Sequence, residues 1–223
     1  MSVGIAPKAF AGLVMIGLVG GCVGGLLGGG KPDNLYRFGA SASAGVTGST
    51  PSAQQTILLD RVHFASEIEG DRLLAVHGGN ARFIKGSRWV TTGPNLFTQA
   101  LLRSFQSRAP GLRVMTMQGG DVTGFSLVVS IARFEAQYDD ADMVSPPAIT
   151  VEGDATLFAL SDRRIVGRRH FTTKAQANNN RVVDIVTAFD RATTCFTADV
   201  ADWVTAATGA RIPKQQSRSD FPR

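Results

Sequence analysis

Apolar residues recur at every second position through residues 124–138, where Phe125, Leu127, Val129 and Ile131 alternate with Ser126, Val128, Ser130 and Ala132. A period of two is that of a strand with one buried face. Residues 112–117, 148–160 and 165–174 have the same strand character, so an antiparallel meander of four strands is predicted. An acidic, proline-containing link from Asp139 to Pro147 joins the second to the third, and a tight turn at Ser161, Asp162 and Arg163 joins the third to the fourth. Earlier in the chain, residues 35–38 (LYRF), 56–62 (TILLDRV), 72–76 and 81–84 read as shorter strands. Turns at Glu69-Gly70-Asp71 and Gly78-Gly79-Asn80 separate them, both with the chemistry hairpins use.

Twice the period lengthens to that of a helix. Pro94 stands where a first helical turn tolerates it; Leu96, Phe97, Ala100, Leu101, Ser104 and Phe105 follow at helical spacing, and Pro110-Gly111 ends the run. The second helix is the clearest element. Asn178, Asn179 and Asn180 stand as candidate caps, and Val182, Ile185, Val186, Phe189, Ala192, Phe196, Val200, Trp203 and Ala207 make a continuous stripe closed by Gly209. A helix of about 27 residues reaches roughly 40 Å, enough to cross a sheet, and a stripe this wide needs a sheet face as partner. The expected fold is α+β in two layers, a mainly antiparallel sheet packed against two helices, the C-terminal one long.

The N-terminus follows another pattern. Residues 9–21 are apolar and uncharged, and they end in LVGGC, Leu18 to Cys22. The run is shorter than the roughly 20 residues needed to span a bilayer, and the glycine-rich continuation cannot extend it as a helix. Small residues before a cysteine admit the extended backbone to a peptidase cleft, and the thiol can accept a diacylglyceryl group as a thioether. Residues 1–21 are therefore expected to be a lipoprotein signal peptide and Cys22 the acylated first residue of the mature chain. Residues 22–34 read as a tether, 35–208 as one folded domain and 209–223 as a polar, disordered tail; within the domain, residues 40–52 form a low-complexity loop.

Composition sharpens this. The 223-residue chain has a net charge of +5; cleavage removes 21 residues and one charged side chain, Lys8, so that 202 residues and +4 remain. Scattered basic residues outside the cytoplasm exclude nucleic acid as a partner and suit anionic head groups near the anchor. With Cys22 acylated, Cys195 stands alone, leaving no internal disulfide; its place in an apolar helical pattern predicts a buried, inert thiol.

The chemistry-bearing residues are sparse. His63, His77 and His170 have no second ligand at metal spacing, so no metal site is predicted. Asp139, Asp140 and Asp142 lack the glycine and distal glutamate of a calcium loop and read as a charged hairpin tip. No serine elbow and no acid–base pair stands out, which predicts no catalytic residue and no cofactor. Arg163, Arg164, Arg168 and Arg169 form the densest basic patch, either a solvated edge protected by charge or a docking patch for an acidic partner or head groups. Tyr36 and Trp89 are the aromatic residues that would serve as surface contacts if they do not pack in the core.

LVGGC, the early LYRF strand, TILLDRV with DRLLAVHGGNARFIKGSRWVTTGPNLFTQALLRSF, and the closing CFTADVADWV together resemble the ABC-type transport auxiliary lipoproteins, accessory components of mammalian-cell-entry (MCE) type lipid transporters. The likeness runs from about residue 35 to 207 and lies in spacing more than in fixed motifs; Phe83 stands where a tyrosine is usual, and the 40–52 loop is long. The resemblance implies a non-enzymatic subunit assisting an ABC permease, its ATPase and an MCE-domain protein in moving phospholipid or sterol-like lipid between membranes. The alternative is a free-standing envelope lipoprotein with a structural or assembly role; a lipoprotein hydrolase lacks the motifs. The protein would face the periplasm, and Val23 after the acylated cysteine, not aspartate, favours the outer over the inner membrane. A homo-oligomer of cyclic symmetry is compatible with the sequence, though no residue requires it.

Overall fold

The structure, a computed structural model, describes residues 32–39, 55–116 and 123–209. The apolar run with Cys22, most of the tether, the 40–52 segment and the tail from Arg211 lie outside the described residues. From Asp33 onward the chain forms one compact unit. In chain order its elements are β1 (Asn34–Tyr36), β2 (Gln55–Leu59), β3 (His63–Phe64), β4 (Arg72–His77), β5 (Asn80–Trp89), α1 (Gly93–Arg108), β6 (Leu112–Met115), β7 (Phe125–Gln137), β8 (Ala148–Ala159), β9 (Ile165–Gln176) and α2 (Val182–Thr208).

Strand β7 organises the sheet. Along one side it pairs antiparallel with β8 from Phe125 to Gln137, and β8 pairs antiparallel with β9. Along its other side three short strands follow one another, all parallel to it: β2 at Leu127, β3 at Ser130 and β4 at Glu135. The sheet then continues as two wings, β4–β5–β1 and β2–β6. This is the α+β two-layer fold expected, with one difference. The stretch predicted as the meander's first strand, β6, pairs in parallel with β2 instead of with β7. Alternation tells which face of a strand is buried, not its neighbour, and the α1 crossover between β5 and β6 permits parallel pairing.

A register shift between Ile131 and Arg133 changes the phase of β7. Before it Leu127, Val129 and Ile131 face the helices; after it the buried apolar residues are Phe134, Ala136 and Tyr138, while Glu135 is buried on the opposite face beside Arg133. Phe134 is thereby placed at the middle of an aromatic cluster. Its ring centroid lies 4.8 Å from Phe189 of α2, 5.1 Å from Phe38, 5.6 Å from Phe64, 6.0 Å from Trp89 and 6.4 Å from Phe97 of α1. Trp89 is therefore core, only 2% exposed and edge-on to Phe38 and Phe189. Tyr36, its partner across β1 and β5, is half-buried against the same core.

Both helices lie on that face, joined by a buried hydrogen bond between Ser104 and Thr197 (2.7 Å). Three local expectations for α2 are corrected. Its N-cap is Arg181, without a side-chain capping bond; Asn180 instead accepts from the Tyr138 hydroxyl (2.7 Å) and donates to the Met143 carbonyl (2.9 Å), tying the helix start to the β7–β8 link. Ala207 is exposed, because the stripe drifts to Val204, Thr205 and Thr208 over seven turns. Cys195, beside the buried Phe196, falls on the outer face of the helix and is an exposed free thiol rather than a buried one.

The acidic link is also more ordered than a solvated tip. Asp140 accepts from the Ser145 hydroxyl and from the Val144 amide (2.7 Å), and these bonds hold its carboxyl below the usual range. Nearer the N-terminus, Gly39 locks β1 to the helices: its N–H donates to Asp190 (2.5 Å) and its carbonyl accepts from Arg103 (2.6 Å). It has φ +71, and a Cβ there would lie 2.5 Å from the Ala100 Cβ. Gly39→Ala is expected to lower stability by about 2 kcal/mol or more through strain and overpacking. Gly209→Ala, at φ +65 with open space around it, isolates the backbone contribution of about 1 kcal/mol. Thermal melts of the two variants check this; equal losses would remove the Ala100 contact as a cause.

Candidate partner-docking surfaces

Among the described residues β9 is an edge strand of the sheet, pairing only with β8. Its basic residues do not share one face. Arg163 sits exposed in the turn before it, with a left-handed φ of 57, and Arg164 lies 3.7 Å from Asp162 in the same turn. Arg168 reaches Asp154 at 3.6 Å on the face away from the helices, whereas Arg169 turns toward α2, its guanidinium 5.2 Å from the centre of the Phe171 ring. Period-two geometry sends neighbours to opposite faces, so the patch is an edge flanked by charge. Such exposed, long ion pairs contribute little, of order 0–1 kcal/mol. The edge therefore keeps its cations available, with Ile165 (57% exposed) among them.

A second surface was not singled out from the sequence. On the sheet face opposite the helices, Arg133 binds Glu135 (2.6 Å) and Glu152 (3.3 Å), and His170 lies 3.6 Å from Glu152 and 3.4 Å from Asp154. Hydrogen bonding to Glu135 raises the Arg133 guanidinium pKa above its ordinary value. The signal was present in β8, where Thr150, Glu152, Asp154 and Thr156 alternate with buried Val151, Gly153 and Ala155. The other histidines stand apart: His63 is exposed on β3, and His77 donates from Nδ1 to the Tyr138 carbonyl (3.1 Å). Among the described residues no group of three or more His, Cys, Asp or Glu is placed to hold a metal ion. Cys22 lies outside them.

At the other edge, Arg88 joins three elements. It donates to Asp33 (2.6 Å) and to both carboxylate oxygens of Asp71 (3.1 and 3.0 Å), and these bonds raise its pKa above the ordinary value. Beside it, β5 bulges away from β4, and a hollow of about 310 Å³ opens there, lined by Arg72, Phe83, Lys85 and Arg88 among others.

The match that decides the family covers most of this unit: the model of the ABC-type transport auxiliary lipoprotein component fits residues 36–201. The chain belongs to this family. Its span runs from the end of β1 into the second half of α2, so β9 and its arginines, the polar face and the hollow beside β5 all belong to the auxiliary component. Two solved structures share the fold. The crystal structure of protein XCC0632 from Xanthomonas campestris, of the DUF330 family, is 22% identical with a TM-score of 0.61, over 70% of this chain and 89% of that one. An uncharacterized protein is 14% identical with a TM-score of 0.61, over 78% and 99%. No curated protein matches the chain. Among the described residues no helix of the auxiliary component is long and apolar enough to cross a membrane.

Proposed function

We propose that this auxiliary component is a non-catalytic, lipid-anchored accessory subunit of an MCE-type ABC transporter that moves phospholipid or sterol-like lipid between envelope membranes. The family match carries the reading. LVGGC supports it, since removal of residues 1–21 exposes Cys22 as an acyl acceptor 14 residues before the matched span. Residues 22–34 tether residues 35–208, residues 209–223 form a polar tail, and the protein faces the periplasm from the outer membrane. Its partners are the permease and ATPase subunits and an MCE-domain protein. The β9 edge offers these partners unpaired backbone groups flanked by Arg163, Arg164, Arg168 and Arg169, a combination suited to adding an acidic strand.

Brief cross-linking, extraction in mild detergent and mass spectrometry of what co-purifies with the chain tagged after Arg223 tests this. An ABC permease, its ATPase or an MCE-domain protein is the expected result. The double variant Arg168→Glu with Arg169→Glu should recover about tenfold less of that partner, from lost attraction and added repulsion. Recovery of outer-membrane or cell-wall components alone would move the assignment to a free-standing structural lipoprotein.

A further inference from the structure

The described chain begins at the edge of the sheet opposite β9. Asp33, just before β1, follows Cys22 by 11 residues. Fully extended, such a stretch spans at most about 40 Å. The chain from Cys22 therefore enters the fold at the β1–β5 edge, and because its reach exceeds the width of the sheet, the chemistry of that edge has to decide which surface meets the bilayer.

That edge brings cations and exposed apolar side chains together. In register, Leu35 stands beside Arg88 and Arg88 beside Arg72. Their neighbours Tyr36 and Trp89 pack on the helix side, so alternation puts Leu35, Arg88 and Arg72 on the face away from α1 and α2. The two nearby acids, Asp33 and Asp71, are both engaged by Arg88. Among the described residues no carboxylate pairs with Arg72; its guanidinium lies 5.0 Å from the centre of the Phe83 ring. Lys85 is exposed in the bulge, and among the described residues no carboxylate lies within ion-pair distance of it. Around these cations Leu35 is 63% and Phe83 41% exposed. Arg72 and Lys85 line a hollow of about 310 Å³ together with Phe83, Ile84 and the Arg88–Asp33 ion pair, and Leu35 stands exposed beside Arg88 on β1. This mix of cations and apolar side chains matches the headgroup boundary of an anionic bilayer, phosphate for Arg72 and Lys85 and upper acyl chain for Leu35 and Phe83.

We infer that the β1–β5 edge is the membrane-facing surface of this protein, and that it seats anionic phospholipid head groups of the bilayer in which the Cys22 lipid is inserted. The inference rests on acylation of Cys22 and adds an orientation to it. Strands β1 and β9 are opposite edges, separated by five strand spacings through β5, β4, β7 and β8, or about 24 Å. With β1–β5 on the lipid, the β9 edge faces away from the anchoring membrane, where partner subunits reach it.

The test uses the full, acylated protein mixed with vesicles of phosphatidylcholine alone or of phosphatidylcholine with phosphatidylglycerol. A water-soluble amine-acylating reagent is applied, and the labelling rates of Lys85 and of Lys174 on β9 are read by peptide mass spectrometry. Lys85 is expected to react about fivefold more slowly on the anionic vesicles, with Lys174 unchanged. The protection should vanish at about 1 M salt, where the screening length is about 3 Å, and in Arg72→Glu. Equal labelling of Lys85 on both vesicles, or equal protection of Lys174, overturns the inference. The mass of the peptide carrying Cys22 reads acylation separately. An acylated Cys22 with unprotected Lys85 defeats the orientation alone, and an unmodified Cys22 with protected Lys85 defeats the anchor while keeping the surface.

Discussion

Phe134→Ala is expected to lower stability by about 3–5 kcal/mol, the usual cost of emptying a buried aromatic site. The position justifies the upper part of that range. Phe134 is 3% exposed and touches five other rings, drawn from the segment after β1, β3, β5, α1 and α2, so the cavity borders nearly every layer of the fold. Edge-on and tilted ring pairs add to simple burial, and the surrounding rings cannot all close in without leaving one another. For a domain of this size the loss corresponds to a fall of about 6–20 °C in Tm. Thermal unfolding followed by circular dichroism measures it, with Ile165→Ser, 57% exposed, as the reference expected within about 0.5 kcal/mol. A Phe134→Ala melt no lower than that of Ile165→Ser would show that the ring does not organise the core.

Phe134 also shows how far the sequence could be read. The alternation at Phe125, Leu127, Val129 and Ile131 assigns the helix-facing side of β7 correctly, but its straight continuation would turn Arg133 and Glu135 toward the helices. The register shift after Ile131 reverses the phase, and its only sequence trace is the resumption of large apolar residues at Phe134, Ala136 and Tyr138. Strand neighbours were less legible still. Nothing local to β2, β3 or β4 says that all three align along one side of β7, because that register is set by long-range packing. Helix α2 was plain from its 3.6-residue period, whereas its cap was not: three asparagines looked equivalent, and Asn180 is drawn off by Tyr138 and Met143.

The surfaces divide in the same way. Four arginines near the Asp162 turn were visible as a cluster, yet period two splits Arg168 from Arg169 across β9, and only the three-dimensional edge reunites them around unpaired backbone. The cationic hollow had no visible cluster at all. Arg72 and Lys85 are 13 positions apart, and the bulge of β5 against β4 brings them together. A charge run in sequence therefore marks a turn or an edge, while a charge pocket is made by strand pairing. The two basic surfaces lie at opposite edges of one sheet, so the two proposed contacts, lipid at one and partner at the other, do not compete for the same strand.

Cys22→Ser should have the largest effect on location. A serine hydroxyl does not form the thioether, so the diacylglyceryl group is not added, and cleavage before residue 22, which follows that addition, should stop. The expected product is a precursor that keeps residues 1–21, recognisable by intact mass, with the mature acylated form absent. Two acyl chains contribute about 0.8 kcal/mol per buried methylene, so their loss takes the protein from permanent to marginal attachment at the membrane where it works. Fractionation should find outer-membrane protein reduced to background, and the cross-linked partner should disappear with it although the fold from Asp33 onward is unaltered. Circular dichroism and thermal melting of the purified variant keep the two causes apart, because a domain that melts as the wild type does but no longer recovers its partner has lost only its anchor. A mature N-terminus of unchanged mass in Cys22→Ser would defeat the lipoprotein assignment.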